Sequence, residues 1–115
     1  MVWKIVTVEY FDDWFLGLDA SEQQDVLAAI LVLEQYGPML GRPHVDSLKG
    51  TEEVKNLKEL RVQHKGKPYR VFFAFDPFRH AVMLCGGDKT GNKHFYKTMI
   101  PIAEHEFLNY LQELE

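Results

Sequence analysis

From Leu57 to His64 the chain turns to a period of two, and with the apolar runs that follow it to Cys85 this limits the fold more than any other feature. Leu60 and Val62 occupy one set of alternate positions, and Glu59, Arg61 and Gln63 the other. Such alternation sends successive side chains to opposite faces of a strand, so Leu57 to His64 reads as a half-buried strand with one polar face. Lys65-Gly66-Lys67 turns the chain, and Tyr69 to Phe75 follows, nearly all apolar apart from Arg70. Asp76-Pro77-Phe78-Arg79 turns it again, and Ala81 to Cys85 is apolar throughout. Strands joined by turns this short form an antiparallel sheet.

Helical signals flank this centre. Val2 to Val8 is rich in β-branched residues and reads as a further strand. Phe11, Trp14, Phe15 and Leu18 then recur at helical spacing. Ser21 with Gln24 has the pattern of a capping box for a second helix, whose apolar face carries Val26, Leu27, Ile30, Leu31 and Leu33. Gly37-Pro38 stops it. Gly86 to Lys93 reads as a polar, glycine-containing loop. Pro101 suits the first turn of a last helix, with Ala103, Phe107, Leu111 and Leu114 as its stripe. The order β-α-α-β-β-β-α predicts an α+β domain spanning residues 1–115. It has a largely antiparallel sheet of about four strands, two N-terminal helices and a C-terminal helix. With the helices on one face, the other face, polar and basic, is left for function or a partner.

Several function classes are excluded or disfavoured. No apolar run approaches the roughly 20 residues that span a bilayer, and Val2 to Val8 is too short and too broken by Lys4 for a signal peptide. Cys85 is the only cysteine, which rules out an intrachain disulfide and a thiolate metal cluster; a reducing cytoplasm is the expected setting. None of the five histidines pairs at a metal-ligand spacing, so no metal and no cofactor is expected. Only two serines are present, neither in a nucleophile-elbow pattern. Gly86 and Gly91 have the spacing of a phosphate-binding loop. However, Asn92 stands where that loop requires lysine, and Lys93 where it requires serine or threonine. Cys85, inside an apolar strand, reads as a core residue.

The formal net charge of −4 is unevenly spread: Arg42 to Lys97 holds twelve of the thirteen basic residues and only six of the seventeen acidic ones. That asymmetry fits a polyanionic partner on one part of the fold, and also fits solvated hairpins between acidic helices. Arg61 and Arg70 lie in consecutive strands. If they project from one face, two permanently charged, fork-shaped donors converge where a phosphate could sit; alternatively each pairs with an acid such as Glu59. Lys89 and Lys93 come to the sheet edge on the polar loop. Tyr96, among lysines, has a phenol whose pKa positive neighbours would lower, leaving it able to accept a proton or stack on a base; Phe95 is expected inward and Tyr96 outward. His64 and His94 lie nearest the basic face, although surface positions account for them too.

The ordered set Lys58-Glu59-Leu60-Arg61-Val62, Tyr69-Arg70-Val71-Phe72-Phe73-Ala74-Phe75-Asp76-Pro77, Gly86-Gly87-Asp88-Lys89 and Phe95-Tyr96-Lys97 resembles the core of RelE/ParE toxins, in their phage-derived, HigB-like branch. Leu33-Glu34-Gln35-Tyr36-Gly37-Pro38 and Gly41-Arg42-Pro43-His44-Val45 fit the same branch, so the resemblance spans nearly the whole chain. It implies a microbial-ribonuclease-like fold, a cognate antitoxin with a helix-turn-helix domain, and metal-independent cleavage of messenger RNA on the ribosome. Carried over by position, Arg61, Arg70, Lys89 and Tyr96 would be catalytic, with Phe95 the alternative aromatic. Lys58, His64, Lys93, His94 and Lys97 would hold the RNA backbone. Glu59 stands where some relatives carry lysine, and the acidic net charge departs from the basic norm of ribosome-dependent members. A gyrase inhibitor of ParE type and a phage-derived regulatory binding module share the fold and remain as rivals.

Overall fold

In chain order the elements are β1 (Lys4–Thr7), α1 (Glu9–Leu16), α2 (Ala20–Tyr36), a 3-10 turn (Gly37–Met39), β2 (Val45–Ser47), β3 (Lys58–His64), β4 (Lys67–Phe75), β5 (His80–Asp88) and α3 (Phe95–Glu113). They come from a computed structural model that describes residues 3–114; Val2, the first residue of the expected N-terminal strand, lies outside that range. The sheet has five strands in the order β1-β5-β4-β3-β2. All neighbours are antiparallel except β1, which runs parallel to β5. The fifth strand, β2, is the addition to the expected set. It is three residues long, with Asp46 between Val45 and Ser47, too short for an alternation to register.

Strand β4 decides the layering. Val71 and Phe73 point to one side, Phe72 and Ala74 to the other, and all four are fully buried. A strand apolar on both faces has to be covered on both, so the expectation of helices on one face only is corrected. Helices α1 and α2 pack Phe11, Val26, Ile30 and Leu33 against Leu60, Val62, Val71, Phe73 and Met83. Helix α3 packs Ile100, Ala103 and Phe107 on the opposite side, over Phe72, Ala74, Val82 and Leu84. Of the apolar face expected on α2, Leu27 and Leu31 are exposed.

Three boundaries differ from the sequence reading, each for a local reason. The capping box of α2 is Asp19 with Glu22, not Ser21 with Gln24. The Asp19 carboxylate accepts from the Glu22 amide at 2.8 Å, and Glu22 returns the bond at 2.9 Å. Helix α3 starts at Phe95, so Pro101 lies inside it; there the missing N–H removes one helical bond, the one to the Lys97 carbonyl. Gly86 and Gly87 are strand, not loop. They read as loop because they lack side chains, yet that lack is what the packing uses. A Cβ on Gly86 would come within 2.4 Å of the Trp14 ring, and one on Gly87 within 2.9 Å of Phe95. One extra residue on β5 bulges the ladder, with Phe72 opposite Cys85 and Phe73 opposite Met83. Cys85 is buried, and burial pushes its thiol up to about 12, as suits a core residue.

Gly86→Ala is therefore expected to destabilise the fold by about 1–3 kcal/mol through overpacking against Trp14. Gly41→Ala, which meets nothing within 4 Å, serves as the control. Equal urea midpoints for the two variants would refute this account of Gly86.

Candidate functional site

The ladder between β3 and β4 places Arg61 directly opposite Arg70, with Glu59 opposite Phe72. Alternation puts Glu59, Arg61, Gln63 and Arg70 on the α3 side of the sheet. Helix α3 covers that side over Phe72 and Ala74. Its first turn ends the cover at Tyr96, whose hydroxyl donates to Glu59 Oε1 at 2.6 Å. Gly87 makes this possible, since its bare backbone lets Phe95 seat against β5. Phe95 is thus buried and Tyr96 half-buried with its hydroxyl in the polar group. Lys89, directly after β5, lies 5.3 Å from the Tyr96 ring centre, a cation–π distance.

Glu59 is the hub. It is 4% exposed. Besides Tyr96 it meets Arg61 Nε at 3.3 Å and Arg70 Nε at 3.4 Å, and Arg61 also reaches Asp46 at 3.3 Å, itself bound by Arg42 at 2.9 Å. The arginines therefore converge, and they pair with carboxylates as well. Their states differ. The Arg61 side chain is one-third exposed, at 33%. Arg70 is 7% exposed, and one of its terminal nitrogens donates to the Tyr69 carbonyl at 3.0 Å. Its Nε, though close to Glu59, makes no aligned hydrogen bond and is a buried donor without a partner among the described residues. An unmatched buried donor is costly, and it is uncommon enough in native proteins to call for an explanation.

Tyr96 corrects one expectation. Its phenol stands above its ordinary value, first because it is buried and then because Glu59 accepts its hydrogen bond; the pull of Arg70 in the other direction does not prevail. The expected lowering by positive neighbours therefore does not occur, and a phenol held protonated is a donor rather than a base.

The expected RNA-binding residues separate. Lys58 falls on the alternate set that packs against α2, and its Nζ donates to Ser47. His64 is buried on that same side, with Nδ1 2.6 Å from Asp25 on α2. Both lie across the sheet from the arginines, because even-numbered residues of β3 face α2. Lys93, His94 and Lys97 are exposed along the approach to α3 and its first turn. Lys97 shares with Tyr96 the wall of a cleft of about 750 Å³ between α3 and the loop after β2. The basic segment as a whole does not form one patch: Arg79 lies over the Trp3 ring at 5.4 Å. Glu59 was visible in sequence only as a member of the polar alternation, and its burial could not be read there.

At the far end of the sheet, Asp76 receives hydrogen bonds from the Tyr110 hydroxyl at 2.6 Å and from the Phe78 and His80 amides, and its Oδ2 lies 2.6 Å from His80 Nδ1. Burial alone would raise the Asp76 carboxyl, but these bonds hold it below the usual range. This group ties the β4–β5 turn to α3. Among the described residues, no set of three or more His, Cys, Asp or Glu side chains could hold a metal ion, and no helix is long and apolar enough to cross a membrane.

Residues 13–108 match the family model described as phage-derived protein Gp49-like (DUF891). The chain is 43% identical over 110 residues to the candidate toxin HigB2 of Mycobacterium tuberculosis, a match covering 94% of this chain and 54% of that protein. It thus spans about half of that relative's length. It is 42% identical over 108 residues to the candidate toxin HigB3 of the same organism, covering 93% of this chain and 92% of that one. Its fold is similar to Escherichia coli toxin RelE, an arginine double mutant in the free state, with a TM-score of 0.61 at 9% identity, over 86% of this chain and 96% of that one. It is also similar to a chain of the archaeal RelE–RelB complex from Pyrococcus horikoshii OT3, with a TM-score of 0.56 at 18% identity, over 79% and 99%. At these identities the structural likeness speaks for the fold alone.

The phenols give a test in alkali. Tyr69 is pushed up to about 12, first by its hydrogen bond to Glu22 and then by burial. Tyr96 and Tyr110 are also raised, each by burial first. The folded chain therefore holds these protons more tightly than the unfolded chain. Their contribution to stability is whole below pH 10 and falls as pH climbs through the folded values. The urea midpoint is expected to drop over that window, and less steeply in Tyr69→Phe. A midpoint that rises with pH there would contradict the arrangement.

Proposed function

The chain belongs to the phage-derived Gp49-like family, and from that premise we propose that it is the toxin of a toxin–antitoxin pair and cuts RNA without a metal. The observation that carries this reading is the buried Arg70 guanidinium, set opposite Arg61 with an unmatched Nε donor beside a carboxylate. A phosphodiester would meet the one-third exposed Arg61 first, with Arg70 as the enclosed second charge behind it, and arginine's fork suits such a group. Messenger RNA engaged on the ribosome, in the cytoplasm, is the substrate that the family resemblance favours. The HigB relatives support the toxin reading. The RelE–RelB complex supports a dedicated antitoxin partner, which we take to carry a helix-turn-helix domain.

RNA needs no metal for this reaction because its own 2′-hydroxyl is the nucleophile. We assign the removal of that proton to Glu59 rather than Tyr96, a reading supported by Glu59 accepting the Tyr96 hydrogen bond while the phenol stays protonated. The 2′-oxygen then bonds to phosphorus while the bond from phosphorus to the 5′-oxygen breaks. Arg61 and Arg70 stabilise the charge on the pentavalent phosphorane. Lys89, as an ammonium, gives a proton to the departing 5′-oxygen, so that the proton taken up by Glu59 is balanced, and Tyr96 is a positioning residue that holds Glu59. Lys93, His94 and Lys97 steer the strand from outside.

A second reading has its own support. The pairing of both arginines with Glu59 also suits a purely structural cluster, on a fold that docks a protein such as gyrase and cuts nothing. Chemistry separates the two. Under the RNA-cleaving reading, 5′-end mapping of transcripts after induced expression shows new cuts whose upstream products end in a 2′,3′-cyclic phosphate. Arg70→Lys, which keeps the charge and loses the fork, slows cleavage by about a hundredfold or more if Arg70 acts as an oxyanion donor does. Growth arrest that persists in Arg61→Ala and Arg70→Lys with no new transcript ends would establish the second reading.

A further inference from the structure

Tyr96 belongs to two places at once. Its hydroxyl is bound by Glu59, and its side chain also lines the cleft between α3 and the loop after β2. The cleft's volume lies within the ~300–1,000 Å³ range of small-ligand sites. Its α3 wall runs along Lys97, Ile100, Pro101 and Leu108. The opposite wall is the loop at Lys49 to Glu53, and Glu104 fixes it. One carboxylate oxygen of Glu104 accepts the backbone N–H groups of Glu52, Glu53 and Val54 at 2.9, 2.6 and 2.9 Å. Burial would raise the Glu104 carboxyl, yet these three bonds hold it below the usual range, so the loop is pinned by a charged acceptor.

The chemistry of this cleft differs from that of the arginine group beside it. Its apolar surface comes from Ile100, Pro101 and Leu108, and its rim mixes Lys49 and Lys97 with Glu52 and Glu53. A mixed rim gives a phosphate no net attraction, whereas a nucleobase is flat, largely apolar and neutral. Glu52 and Glu53 add carboxylate acceptors, which suit an amino or imino N–H on a base edge.

Resting on the RNA-cleaving reading, we propose that this cleft is a nucleobase subsite. It would receive the base of a nucleotide flanking the scissile phosphate, while Arg61 and Arg70 take the phosphate itself. Tyr96 joins the two, and aromatic side chains are the usual platforms for unstacked bases. The subsite would then set which base borders the cut, through the apolar cleft walls and the carboxylates of Glu52 and Glu53.

The test uses the full chain with labelled isoleucine and leucine methyls, tyrosine rings and arginine side chains, and short oligoribonucleotides with 2′-O-methyl riboses, which cannot be cut. Base-bearing trinucleotides are expected to shift the Ile100 and Leu108 methyl signals with an order of preference among bases, and an abasic trinucleotide is expected to leave them in place. Leu108→Glu, at an exposed position, is expected to weaken binding by about tenfold, the scale of one lost apolar contact in a pocket. Lys49→Ala provides a second variant on the other wall. Shifts confined to the Tyr96 ring and the arginine side chains, with Ile100 and Leu108 unmoved or equally moved by the abasic probe, would overturn the subsite and leave the RNA-cleaving reading standing. No response anywhere would overturn the subsite, while transcript-end mapping of Arg70→Lys decides the RNA-cleaving reading separately. An antitoxin that shifts the Ile100 and Leu108 methyls, where no trinucleotide does, would assign the cleft to a protein partner and also overturn the proposal.

Discussion

The two-sided burial of β4 is the constraint on which the other features depend. Because Val71 and Phe73 face one way and Phe72 and Ala74 the other, no stable arrangement leaves either side of the sheet bare. Two helices from the N-terminal half cover one side and the last helix covers the other. Helix α3 is too narrow to cover its whole side. Its first turn stops beside Glu59, and what remains of that face is the polar patch of Arg61, Gln63 and Arg70. The candidate site is therefore the margin of a core, which is why its hub is as buried as the residues beneath it.

Much of this was legible before the coordinates. The β3–β4 hairpin was, but its turn is Lys65-Gly66 alone, with His64 opposite Lys67, and this register puts Arg61 and Arg70 on one side. The three-residue turn read from the sequence would have set them on opposite faces, so their convergence stood there only as a condition. Phe95 inward with Tyr96 outward followed from the need of one aromatic to fill the core. What could not be read was burial that depends on distant segments. Glu59 looks like any solvated strand glutamate until α3 is laid against it. Gly86 and Gly87 resemble a loop until Trp14 and Phe95 are seen to need their empty space. Lys58 and His64 lie beside the two arginines in sequence and across the sheet from them in space, and that separation shows only once the alternation is applied strictly to each basic residue.

The inward-facing charges deserve weight because they are placed against their own solvation. A carboxylate and a guanidinium at 4% and 7% exposure cost more to bury than a pair of well-packed apolar residues of similar size. The fold accepts that cost at one place on the α3 side and leaves one donor nitrogen unmatched there. Preorganised donors in a protected setting act more strongly on developing charge than the same groups in water. The arrangement therefore suits a reaction better than it suits stability.

The parallel pairing of β1 with β5 has a kinetic side. Lys4 meets His80, and Thr7 meets Met83, so β1 has no sheet neighbour until β5, far along the sequence, has been made. Contacts that span so much sequence are slow to close, because the entropy of drawing the ends together is lost before the contact repays it. Tyr96 and Glu104, which complete the polar group and pin the loop beside it, follow later still. A chain still being translated thus carries its arginines and its hub carboxylate without the wall that organises them. The polar group becomes whole only once Tyr96 and Glu104 have been made and α3 has docked.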